Sequence, residues 1–183
     1  MNYYGARELA ASFRTVRGNT IQIAEDIPED KYGFVPADGT KSVGDTLVHI
    51  ALSYKFGYLV HAEEKRDTLE GMDFPSLMEK MAKEAAEPRT KAEIIDLLKS
   101  EGEVWAGFVE GVSDGFLAEP VGMPAGAEPP SKSRFEMMLS VKEHEMHHRG
   151  QLMLAERLVG VVPHLTRRMQ EHMAQMQAAK ANG

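Results

Sequence analysis

Seven histidines stand in a chain without a single cysteine, so any metal site its side chains build must rest on imidazole and carboxylate. Two of them, His144 and His148, lie four residues apart in the segment S-V-K-E-H-E-M-H-H-R-G-Q of Ser140 to Gln151. On a helix that spacing sets them about 40° apart around the axis and about 6 Å apart along it, where two imidazoles can converge on one ion. The stripe Met137, Val141, His144, His148, Gln151, Ala155 and Leu158 advances in steps of four and three, which predicts a face turned into a helical bundle. Polar groups on such a face are costly unless something satisfies them. A lone histidine there is ordinarily a core residue bonded to a backbone carbonyl, whereas two on one seam with a third on another helix favour a metal. His49, in the apolar setting V-H-I-A near a helix start, is the candidate third ligand. His144 with His147 is an alternative pair that the geometry allows, although His147 falls at the edge of the seam. His61, His164 and His172 read as surface or interface residues.

The neighbours of these histidines carry expectations of their own. Gln151, one turn below His148, can bond a ring nitrogen and orient the imidazole. Gly150 predicts a facing chain that approaches the helix closely. Arg149 points about 100° away from His148, outside ligand reach, and is expected to pair with an acidic group of a neighbouring helix or, as the alternative, to meet an anionic substrate. Glu101 stands where a carboxylate could join the site, but the ordinary reading is a solvated side chain on a helix flank. Tyr54 and Tyr58 follow His49 along its helix and could line a pocket.

Long helices are needed to position such residues, and apolar positions recur with a helical period along most of the chain. Leu9, Phe13, Val16, Thr20, Ile23 and Ile27 make a seam closed by Pro28, which predicts a first helix over residues 2–27. A loop with Gly33, Pro36 and Gly39 runs to Lys41. Ser42 with Asp45 starts a second helix. Its apolar residues from Leu47 to Val60 spread widely enough for burial on more than one side. The connection from Glu63 to Arg89 holds a short helical piece over 77–86, ended by Pro88. Thr90 and Glu93 box a third long helix with the seam Ile95, Leu98, Gly102, Trp105, Val109 and Val112. Residues 113–130 read as a loop with at most one ordered turn. Ser133 and Glu136 box the fourth helix, G-V-V-P of Gly160 to Pro163 ends it, and Pro163 suits the first turn of a terminal helix. No segment alternates with the period of a strand. The expected class is all-α: a four-helix bundle over residues 1–162 with an additional C-terminal helix over 163–183.

Composition narrows the functional classes. With 183 residues the chain suits one core, burying roughly 70% of its unfolded surface. Lys plus Arg number 21 against 28 Asp plus Glu, a net charge of −7, which argues against a nucleic-acid binder that must release counterions. No window approaches the roughly 20 apolar residues of a membrane span, and Arg7 and Glu8 fall where a signal peptide would place its apolar core. A cytoplasmic protein with no membrane partner is the expectation. Any thiol chemistry would need a small-molecule thiol. Met169, Met173 and Met176 form a stripe beyond the bundle that needs an apolar cover, so a homodimer through the terminal helix is expected.

The string H-E-M-H-H-R-G-Q of His144 to Gln151 resembles the H-x-x-x-H-R-G-Q signature of the DinB/YfiT-like superfamily, bacterial four-helix bundles with a three-histidine metal site. The segment S-V-G-D-T-L-V-H-I-A of Ser42 to Ala51, after a Pro-bearing loop, is similar to the context of that family's first ligand. The resemblance spans about residues 3–160. It implies His49, His144 and His148 as ligands of a divalent ion, zinc first with nickel or manganese as alternatives, and leaves His147 as a neighbour. It also implies a metal-dependent, thiol-using S-transferase type of enzyme acting on a small-molecule substrate. A metal-dependent hydrolase and a non-catalytic, stress-related metal- or ligand-binding protein are the other two readings.

Overall fold

The computed structural model describes residues 4–181. Its long helices begin where the capping residues stand. In α1 (Ala6–Asp26) the Gly5 amide donates to the Glu8 carboxylate at 2.9 Å, so the helix opens at Ala6 rather than at residue 2; residues 2 and 3 lie outside the described residues. Ser42 Oγ accepts from the Asp45 amide at 3.1 Å and opens α2 (Val43–Leu52). The Thr90–Glu93 and Ser133–Glu136 boxes open α5 (Lys91–Gly111) and α7 (Arg134–Leu158), with Glu93 and Glu136 accepting from the capping amides at 2.7 and 2.8 Å.

Three connections differ from the sequence expectation. The second helix is broken: α2 ends at Leu52, a short α3 (Lys55–Tyr58) follows, and the chain then widens into a π turn over Leu59–Glu63. The short helix between the second and third long ones, α4 (Phe74–Ala85), starts earlier than residue 77 because Asp73 caps it, accepting from the Ser76 amide at 3.1 Å. The stretch 113–130 contains α6 (Asp114–Ala118), and β1 (Pro120–Gly122) pairs antiparallel with β2 (Ser131–Ser133). Strands of three residues are too short to show a period. Backbone bonds hold this hairpin to the preceding loop, Leu69 N to Gly122 O and Gly122 N to Asp67 O, both at 2.8 Å.

The four long elements α1, α2, α5 and α7 pack around two apolar clusters. Ile23, Leu47, Leu98 and Leu152 sit in one, and Leu9, Phe13, Trp105 and Met138 in the other. The order of these residues along each helix shows that α1 and α7 run one way while α2 and α5 run the other. Between the clusters lies a buried polar layer. Arg17 of α1 donates through Nε to both carboxylate oxygens of Glu145 on α7 at 3.0 and 3.1 Å, and its Nη2 is 3.0 Å from Oε2. The same guanidinium donates to the Leu98 carbonyl of α5 at 2.7 Å and the Ile50 carbonyl of α2 at 3.3 Å, so one side chain ties all four helices together. Thr20 Oγ1 adds a bond to Glu145 at 2.7 Å. Gly102 is the residue that makes room, since a Cβ there would lie 3.0 Å from Arg17 Cγ and 3.2 Å from Nη1.

Past Pro163, α8 (His164–Ala181) is tied to α1 by Arg167 with Asp26 at 2.7 Å and by His164 with Asn19 Oδ1 at 3.0 Å. His164 is therefore buried at this corner, in the interface between α8 and α1. Glu156 of α7 is also buried, with no hydrogen-bond partner for either carboxylate oxygen among the described residues, and burial pushes its carboxyl up to about 7. Met169, Met173 and Met176 are exposed. Among the described residues no helix is long and apolar enough to cross a membrane.

A carboxylate or guanidinium left alone in this polar layer would be a buried, unpaired charge. Glu145→Ala is expected to lower unfolding free energy by about 3–5 kcal/mol, and the double variant Arg17→Met with Glu145→Leu to recover most of that loss. Urea unfolding of the three proteins checks this; a loss below about 1 kcal/mol for Glu145→Ala is the behaviour of an exposed pair and contradicts the burial.

Candidate metal centre

The ion pair fixes the register of the two helices that carry the candidate ligands. Arg17 grips the carbonyl of Ile50, the residue after His49, and the carboxylate of Glu145, the residue after His144. His49 and His144 are thereby brought opposite each other with their rings edge-on, Nε2 atoms 3.2 Å apart. One turn along α7, His148 Nε2 lies 3.1 Å from His144 Nε2. Ligating nitrogens of all three rings lie within 4.8 Å of one another. Four tetrahedral ligands about 2.0–2.1 Å from a zinc ion would stand about 3.3 Å apart, so the two measured spacings are those of an imidazole cage that could close on an ion. No carboxylate joins the cluster among the described residues.

The expected stripe is displaced. Met138, Glu145, Leu152 and Glu156 are the buried line of α7, with Val141 and Ala155 beside it, whereas His144 and His148 are half-buried and Gln151 and Leu158 are exposed. The histidines thus sit on the flank of α7 that meets α2, not in the bundle interior. Glu145 takes the central position because it has Arg17 as a partner there.

Burial, followed by the neighbouring rings of His144 and His148, holds His49 down to about 4, and burial, followed by the rings of His148 and His147, lowers His144. Both are neutral at pH 7, the form that ligates. Gln151 does what its position predicts: its Oε1 lies 2.8 Å from His148 Nδ1. An amide oxygen only accepts, so Nδ1 carries the hydrogen and the lone pair of Nε2 faces the cluster. The Gln151 amide nitrogen is 3.2 Å from His147 Nε2, which turns that exposed ring away; the His144–His147 pair is not assembled. Nothing comes within 4 Å of a Cβ built on Gly150, so no chain approaches there, and Arg149 has no hydrogen-bond or ion-pair partner among the described residues. Glu101 accepts a hydrogen bond from the buried Tyr54 hydroxyl and is apart from the cluster; Tyr58 packs on the Tyr54 ring.

Hollows flank the cluster on either side. One, of about 390 Å³, is lined by His148, Gln151, Thr46, Leu152 and the loop of Pro36 to Lys41. The other, of about 510 Å³, is lined by His49 and His144 with Phe56, Met123, Met137 and His61. His61, read from the sequence only as a surface or interface residue, is buried, and the π turn after the break at Leu52 is the element that carries it. The only signal for Arg17 and Glu145 was indirect. Arg17 lies one turn after Phe13 on a buried helix, and Glu145 stands seven residues from both Met138 and Leu152.

A sequence profile of the DinB superfamily matches residues 12–152, and the chain belongs to that superfamily. The chain is similar in fold to a DinB-like protein (YjoA) from Bacillus subtilis, at 21% identity and a TM-score of 0.61 over 84% of this chain and 92% of that one. It is likewise similar to YfiT from Bacillus subtilis, at 16% identity and a TM-score of 0.65 over 88% and 91% of the two chains. YfiT is described as a probable metal-dependent hydrolase with an unusual four-helix bundle topology. No curated protein matches the chain.

Replacing Gln151 by Ala frees the His148 ring to rotate while leaving all three imidazoles in place. The apparent Kd for Zn²⁺ is expected to rise about 10–100-fold, measured by competition with a chromogenic chelator. An unchanged Kd would show that the amide does not orient the ring.

Proposed function

We propose that the chain is a metal-dependent enzyme in which His49, His144 and His148 hold one divalent ion, zinc first and nickel or manganese as alternatives. In this reading its reaction transfers the sulfur of a low-molecular-weight thiol to an electrophile. The convergence of three imidazole nitrogens at 3.1 and 3.2 Å carries the metal reading. An ion held by neutral ligands keeps its full charge, has coordination positions to spare, and lowers the pKa of a thiol or water bound to it. Burial keeps His49 and His144 unprotonated for that task, and Gln151 holds His148 in the required tautomer. The sequence contains no cysteine, so the thiol is a cosubstrate. Separate hollows on the two sides of the cluster give a thiol and an electrophile separate approaches. The same reading puts the enzyme in the cytoplasm, where small thiols are kept reduced, and pairs two copies through the exposed methionines of α8.

Hydrolysis is the second reading, and the description of YfiT favours it. In that case water takes the place of the thiol, and turnover needs none. The two are separated by assaying metal-loaded protein with a panel of electrophiles and esters, with and without bacillithiol, mycothiol or glutathione. A transferase is expected to form thioether only with thiol present, to lose activity on chelation and to regain it with Zn²⁺, Ni²⁺ or Mn²⁺. Product formed at full rate without thiol makes the protein a hydrolase, and no product across the panel makes it a binding protein.

A further inference from the structure

We infer that the hollow lined by His49, His144 and His61 is a pocket for an uncharged, largely apolar molecule bearing a carbonyl, whose oxygen is held by the Nε2–H of His61. The ring of His61 is 1% exposed and is carried by the π turn of Leu59–Glu63, a local widening that recurs at functional sites. Its Nδ1 lies 3.1 Å from Nη1 of Arg134. A guanidinium can only donate, so Nδ1 accepts and the neutral ring carries its hydrogen on Nε2. Arg134 is itself fixed, by a 2.9 Å bond from Nε to Glu119 and by stacking of its guanidinium 4.5 Å from the Phe116 ring centroid. The tautomer of His61 is therefore set from behind.

Nε2 has no partner among the described residues, although it is fully buried. A buried donor without an acceptor has lost its hydration for nothing in return, so the site is complete only with an acceptor in the hollow. The remaining wall selects the rest of the molecule. Phe56, Leu69, Met123 and Met137 are apolar, and Met adapts to varied shapes. The charged lining residues, Lys132 and Glu136, are exposed at the mouth. At His61 itself the nearest cation, Arg134, is already paired with Glu119, so a neutral donor there suits a carbonyl better than a carboxylate, which would shed its hydration with no free counter-charge beside it. Because His49 and His144 line the same hollow, a molecule held at His61 lies along the path to the histidine cluster. This assignment deepens the metal reading by naming a substrate class, but the binding it predicts requires no ion.

Acetophenone and ethylbenzene form a matched pair of probes that differ by the carbonyl. Titrated calorimetrically into the full chain, both zinc-loaded and metal-free, acetophenone is expected to bind about tenfold more tightly than ethylbenzene. His61→Phe, which keeps a ring but no donor, should bring the ratio near one, and His61→Gln should restore most of it. Should His61→Phe fail to fold, the wild-type protein still decides, since the ¹⁵N resonance of His61 Nε2 should move with acetophenone and not with ethylbenzene. Equal affinities, no saturable binding of either probe, or an undiminished preference in His61→Phe overturns the assignment. A ketone preference in a protein that binds no zinc retains this pocket and removes the metal reading. Stoichiometric zinc without any ketone preference does the reverse.

Discussion

Arg17 and Glu145 form an ion pair buried on both sides, and the placement of His49 and His144 follows from where that pair must sit. A helix seam leaves some freedom to slide, because apolar contacts are not directional. A guanidinium with four specific acceptors on three neighbouring helices is directional. It bonds Glu145, the Leu98 carbonyl and the Ile50 carbonyl at once, and it can do so at only one register of α2, α5 and α7. Buried ion pairs are weak evidence for stability, since the loss of hydration offsets much of the attraction. Here the consequence is positional, because the bonded residues on α2 and α7 are the immediate neighbours of His49 and His144.

The remaining geometry distributes tasks around that fixed point. With Glu145 occupying the inward position of α7, its neighbours His144 and His148 are turned to the flank, where a solute can reach them from the hollows. Half-burial is the useful compromise: deep enough to keep the rings of His49 and His144 neutral, shallow enough to admit a partner. The broken second helix serves the same end. A continuous helix from Val43 to Glu63 would keep one phase throughout, whereas the break at Ser53 and the π turn swing His61 inward against Arg134.

Much of this was legible in the sequence, and what was not has physical causes. Capping chemistry is local, so Ser42, Thr90 and Ser133 opened their helices at the expected residues. The i, i+4 spacing of His144 and His148 is likewise local, and the pairing with His49, expected from its apolar setting, is what the fold assembles. Gln151 was expected to bond a ring nitrogen and bonds two. The direction of the α7 stripe was misjudged by about one position, because a polar residue at the centre of a core face is invisible to a pattern that scores only apolar ones. Glu145 is satisfied by a partner 128 positions away in sequence, and no local rule reports that. The burial of His61 and His164, read only as surface or interface residues, has a related cause: the first depends on a π turn and the second on how α8 docks at Asn19. Gly150 was expected to admit a close neighbour and faces none. A hairpin whose two strands have three residues each leaves no period to detect.

The central claim is that three imidazoles from two helices hold one ion. Metal content of protein purified without added metal and then dialysed against Zn²⁺, combined with zinc-edge X-ray absorption, addresses it directly. The account predicts one equivalent per chain, three imidazole nitrogens at about 2.0–2.1 Å, and loss of that equivalent in His148→Ala. A full equivalent retained by His148→Ala, or a first shell without imidazole nitrogen, would contradict it.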